Sequence, residues 1–163
     1  MEKFQEHQEK AAKNIKIANH MLGVTFLLVK DPKLLLAIIE NIFLAYTNTI
    51  AAVLHYERLF KRIPPFQDTF ESKLNMFREK IIPKHNMDKS YLTEVQDIRD
   101  IIIDHKKSPV EFKRGNKLVI CTENYRMKTI SERDIQKYLD KAKVFIELTN
   151  HILEKDAGIF RST

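Results

Sequence analysis

Arg99 and His105 stand six residues apart in the segment Glu94–Phe112, E-V-Q-D-I-R-D-I-I-I-D-H-K-K-S-P-V-E-F. Their types suit phosphate chemistry. Arginine is a permanent cation whose planar fork grips phosphate oxygens in pairs, and histidine exchanges protons near neutral pH. The other candidate donors look unlike a metal centre. The six histidines, His7, His20, His55, His85, His105 and His151, share no helical ligand spacing. Asp97, Asp100 and Asp104 recur on one face, as a solvated helix surface does.

The element that must position this pair reads as a helix stopping at Ser108-Pro109. With Glu94 at zero and about 100° per residue, Ile98, Ile102, Val95, Leu92 and Ile103 fall between about 40° and 180°. The three aspartates take the opposite side. Arg99 falls near 140°, inside the apolar arc, and His105 near 20°, on its margin. A charge aimed at a core needs a partner or a route to solvent. Glu40 and Asn41 of an earlier apolar helix are the candidate partners.

The run Arg99-Asp100-Ile101-Ile102-Ile103-Asp104-His105 resembles the R-x(4–6)-H signature of the HEPN superfamily, with Asp100 as the polar residue that often follows the arginine. The resemblance covers the helical layout loosely and these seven residues specifically. It implies a small helical bundle, and in many members a metal-independent ribonuclease of toxin or defence systems. On that reading the ribose 2′-hydroxyl attacks the adjacent phosphate. His105 serves as general base or acid, Arg99 neutralises the growing charge, and Asp100 orients one of them. Lys106, Lys107, Lys113 and Arg114 would grip the RNA backbone without reading its sequence. No cofactor is expected. Lys107 stands where active members often carry tyrosine. That departure favours a competing reading, a catalytically silent helical module that binds a protein partner, antitoxin-like, or a nucleotide.

Composition sets the frame. The 163 residues suit one domain, 1–163, and 44% apolar with 31% charged residues indicates a soluble globular chain. The three glycines, Gly23, Gly115 and Gly158, leave no glycine-rich phosphate loop. The lone Cys121 allows no internal disulfide and suits a reducing cytoplasm. The charged, amphipathic N-terminus does not read as a signal peptide. The net charge of +6 is uneven: residues 106–143 carry 11 basic and 5 acidic groups, directly after the arginine–histidine stretch. A polyanion would be drawn there.

The periodicity predicts five helices. The first spans 3–30 and turns apolar on two sides in its later half, so it is central or used in association; His20 reads there as a core histidine. Asp31-Pro32 starts the second, which runs to about Arg62 before Pro64-Pro65. Its apolar run Leu34–Leu54 has the length of a membrane span, but Glu40, Asn41 and Asn48 interrupt it, so it reads as the central helix of a bundle. The third spans 67–82, ended by Pro83, and the fourth about Ser90–Lys107. A hairpin with a basic tip, Lys113–Lys117, follows, then an irregular stretch Thr122–Ile130. Ser131-Glu132-Arg133-Asp134 resembles a capping box for the last helix, which runs to about Lys155 with Gly158 marking its end. The fold class expected is all-α, a four- to five-helix HEPN-like bundle with a small β-hairpin before the last helix.

Six residues apart on a straight helix, Arg99 and His105 point about 120° away from each other. They meet on one phosphate only if the helix unwinds near Asp104 or if two subunits combine. A homodimer is therefore expected. Sedimentation at micromolar concentration should give twice the chain mass; a monomer would remove the simplest route to a shared site.

Overall fold

The computed structural model describes residues 1–161, with side chains through Glu154. Among these residues are five helical stretches and a three-stranded antiparallel sheet placed before the last helix. Helix α1 is α-helical over Lys3–His20, passes through a π-helical turn at Met21–Thr25 and resumes over Phe26–Val29. Lys30, at φ 53°, stops it in the left-handed conformation. His20 is exposed rather than a core residue. Ala18 and Leu22 on either side take the core positions.

Helix α2, Lys33–Leu59, begins where Asp31 Oδ1 accepts the Lys33 N–H at 3.0 Å. It ends before the expected Arg62, because Lys61 turns the chain at φ 56°. By length and composition α2 could cross a membrane, and 56% of its most apolar window is buried in the fold. It packs against all four other helices, so it is the central helix.

Helix α3 comprises Phe70–Met76, a π turn at Phe77–Ile81 and Ile82–His85. It starts later than residue 67 because the Thr69 hydroxyl caps it, accepting the Ser72 N–H at 3.2 Å. Pro83 does not end it. The wide π turn sends the Ile82 N–H to Phe77 O and carries the chain past a residue that has no N–H to give. Left-handed Asn86 stops the helix instead.

Helix α4, Ser90–Lys107, has the expected bounds. Strands β1 (Val110–Arg114) and β2 (Lys117–Cys121) form the hairpin, with Gly115 at φ 62° in its tip. The stretch after it is not all irregular: β3, Met127–Ile130, pairs antiparallel with β2, Leu118 opposite Ile130. Four residues burying one side chain leave little pattern to read. Helix α5, Glu132–Arg161, is capped as expected by Ser131 and Asp134, which exchange side-chain and backbone hydrogen bonds of 2.9–3.2 Å. It continues through Gly158, since glycine weakens a helix by about 1 kcal/mol without forbidding it.

The core closes on Phe145 of α5. Its ring lies 5.2 Å from Tyr46 of α2, 5.7 Å from Phe77 of α3 and 5.2 Å from Tyr91 of α4. Within this knot the Tyr46 hydroxyl donates to the Glu94 carboxylate of α4. Burial pushes the Glu94 carboxyl up to about 7 from its ordinary 4.5, against the Tyr46 hydrogen bond and Lys141, which pull it down. The folded state therefore holds this proton more tightly than the unfolded chain. The stabilisation is complete below about 4.5 and is lost as pH rises through about 7, a difference on the order of 3 kcal/mol. Burial lowers the His55 imidazole and works the other way below its ordinary 6.5, so the comparison must be with a variant. Glu94→Gln is expected to flatten the pH dependence: between pH 8 and 5.5 wild type should gain stability relative to the variant. Parallel melting curves against pH would show that Glu94 does not carry it.

Candidate functional site

Helix α4 is α-helical without interruption from Ser90 to Lys107, so Arg99 and His105 keep their divergence. They go to different neighbours. Arg99 reaches α3: its Nη2 lies 2.7 Å from Glu71 Oε1, and its guanidinium carbon sits 4.4 Å from the centre of the Phe70 ring. Neither expected partner is used. Glu40 is exposed, and Asn41 Nδ2 donates to Ala37 O at 3.0 Å one turn back on its own helix. The Arg99 side chain is 37% exposed and that of Glu71 62%, so the charge leaves the apolar arc for the lip of the bundle. Glu71's own backbone N–H, and then the Arg99 guanidinium, hold its carboxyl below the usual range.

His105 lies where α4 gives way to the sheet. Its Nδ1 meets the carboxylate of Glu111 on β1. The corner between them is pinned by Ser108, whose Oγ lies 2.7 Å from the carbonyl oxygens of Val110 and Cys121. A carboxylate on one imidazole nitrogen fixes ring orientation and leaves the other nitrogen outward, the arrangement a proton-transfer histidine needs. Sequence reasoning did not single out Glu111. Its place opposite Ile120 depends on strand register, and only the Ser108-Pro109 turn hinted that the chain doubles back.

Asp100 joins neither residue. It lines a separate cleft of about 250 Å³ with Asp97, Lys128 and Tyr138, between α4, β3 and α5. Next to His105, Asp104 pairs with Lys128 of β3 at 2.5 Å. One chain thus brings His105 and Glu111 together and leaves Arg99 and Asp100 on other faces.

The basic residues named from the sequence are exposed on the two elements that carry His105 and Glu111. Lys106 and Lys107 are exposed in the last turn of α4, where cations also favour the helix dipole. Lys113 and Arg114 are exposed on β1, and Lys117 stands opposite Arg114 in the register. Two of them have structural ties as well. Lys113 Nζ lies 3.1 Å from Asp31 Oδ1, anchoring the hairpin to the α1–α2 turn, and Arg114 lies over Phe112 at 5.8 Å. Among the described residues no group of three or more His, Cys, Asp or Glu is arranged to hold a metal ion.

Compared with protein-family models, characterised proteins and solved structures, the chain matches none.

The Arg99–Glu71 pair is screened by solvent, and such pairs contribute little to stability. Arg99→Ala should therefore cost no more than about 2 kcal/mol in chemical denaturation, mostly the cation–π contact with Phe70. A larger loss would make Arg99 a structural residue first.

Proposed function

We propose that this chain is a HEPN-like, RNA-binding helical module of the cytoplasm, and that cleavage by Arg99 and His105 requires two copies. The observation that carries this reading is the His105–Glu111 pair, with the exposed cations Lys106 and Lys107 following His105 in the last turn of α4 and Lys113 and Arg114 following Glu111 on β1. Lysines and arginines on a helix end and a projecting hairpin can follow a phosphate backbone. His105, oriented by Glu111, moves the proton of the 2′-hydroxyl or of the leaving oxygen. Arg99, from the second copy, neutralises the phosphate. Glu111 takes the orienting role that sequence reasoning offered to Asp100. This chemistry needs no metal, so a chelator should not stop it.

A second reading is favoured by a separate observation. Val24, Leu27, Leu28 and Val29 at the end of α1 stay exposed, Leu28 by 80%. An apolar helix end of this kind suits a catalytically silent module docking a protein partner.

Two experiments separate these readings. In the first, RNA affinity is followed against salt. Reversing charge at Lys113 and Arg114 should weaken binding and reduce the slope by about 1–2, as fewer counterions are released. Unchanged binding would move the interface elsewhere.

In the second, RNA cleavage is measured with chelator present. Arg99→Ala and His105→Ala should each lower it by about 10²-fold or more. Mixed and allowed to exchange subunits, the two inactive variants should recover about a quarter of wild-type activity, from one intact site in each mixed dimer. No cleavage by wild type would leave the partner-binding reading standing.

A further inference from the structure

Arg99 also stands at the mouth of a pocket between α2, α3 and α4. Phe43, Thr47 and Ile50 come from one face of α2, Phe70, Lys73 and Leu74 from one face of α3, and Arg99 closes the lip. Ile50 and Leu74 are buried at its base, and the Phe43 and Phe70 rings lie 5.6 Å apart in its wall. The space is about 240 Å³, room for roughly eight water- or methylene-sized groups at about 30 Å³ each. Water against such apolar walls is readily displaced by an apolar body.

The charges at the mouth are layered. Arg99 and Lys73 line the pocket, and their carboxylate partners Glu71 and Asp68 lie outside them. The side chains of Glu71 and Asp68 are 62% and 83% exposed, against 37% and 21% for the cations they hold. Glu71 keeps a carboxylate oxygen 2.7 Å from Arg99 Nη2, and so occupies a position in which an external carboxylate would bind. Being exposed, it gives way at small cost.

We propose that this pocket binds a small amphiphilic carboxylate. The apolar tail lies between Phe43 and Phe70 over Ile50 and Leu74, and the carboxylate replaces Glu71 on Arg99 with Lys73 beside it. Recognition needs both halves: the tail displaces water, and the fork of Arg99 fixes the head. The inference does not rest on RNA binding: Arg99 is shared with the proposed cleavage site, but the cations proposed to hold the RNA backbone lie in the last turn of α4 and on β1, outside this pocket.

The test titrates octanoate into the full chain by calorimetry and follows it by methyl NMR. Saturable binding is expected, and octan-1-ol, with the same tail and no charge, should bind about tenfold more weakly. Arg99→Gln should weaken octanoate by about tenfold, and Glu71→Gln, which removes the competing carboxylate, should strengthen it. Thr47→Trp, filling the pocket from its half-buried rim, should abolish binding without loss of fold. The Lys113→Glu, Arg114→Glu variant should bind octanoate as wild type does. Equal affinity for octanol, octanoate binding that survives Thr47→Trp, binding lost in the hairpin variant, or no saturable binding by wild type would each overturn the proposal.

Discussion

The hydrogen bond from Tyr46 to Glu94 sets the geometry on which the rest of α4 depends. Both residues are buried, and a carboxylate in such a place must be hydrogen-bonded, protonated or both. Tyr46 supplies the bond from the central helix, and Phe145 packs on Tyr46 from α5, so a shift of α4 would disturb three helices. Fixing the rotation of α4 at Glu94 then fixes every residue along it. Arg99, about 140° round, is turned toward α3 and lands over Phe70. His105 points within about 20° of Glu94's direction but three turns further on, past the end of the bundle core. There it meets Glu111 of the sheet instead of a buried phenol. One helix therefore serves a core, an apolar pocket and a basic corner in succession, with no break in its backbone.

What could be read from the sequence was what is locally encoded. Ser90–Lys107 was legible because a regular apolar repeat ends at Ser108-Pro109. The start of α5 was legible because Ser131 and Asp134 lie within one turn of each other. The π turns in α1 and α3 were not. They change the phase of the apolar repeat by less than a residue, and in α3 the effect shows in the helix that runs past Pro83. Strand β3 was missed because its pairing to β2 is tertiary and it buries only Ile130.

The site was legible in residue types and not in partners. Glu71 and Glu111 lie 28 residues before Arg99 and six after His105, distances over which no helical rule connects side chains. Glu94 was a different omission. It falls at zero on the helical wheel, within reach of Ile98 at about 40° and Ile101 at about −20°, so a polar residue at a core position was visible as an anomaly. The apolar arc read from the wheel runs one residue too far round, to Ile103, which the fold leaves half-buried.

The two uses argued for Arg99 ask the same thing of Glu71. Whether the incoming group is a phosphate from RNA or the head of an amphiphile, it must take the fork that Glu71 now holds. A buried carboxylate would make that exchange costly, since removing one partner of a desolvated pair strands the other charge. Glu71 is exposed, so water takes over its carboxylate as it leaves. Phe70 meanwhile holds the guanidinium in place from below by a contact that does not compete for its hydrogen-bond donors. Arg99 is thus aimed by an aromatic ring and covered by a weakly held carboxylate. A structural ion pair would reverse that arrangement, burying the carboxylate. The fold has one of that kind for comparison: Glu57, 1% exposed, lies 3.1 Å from Lys84 and 3.5 Å from Arg62, and there the cations are the solvent-facing partners. The inversion between the two, a carboxylate inside at Glu57 and outside at Glu71, is the physical argument behind the proposed binding role of Arg99.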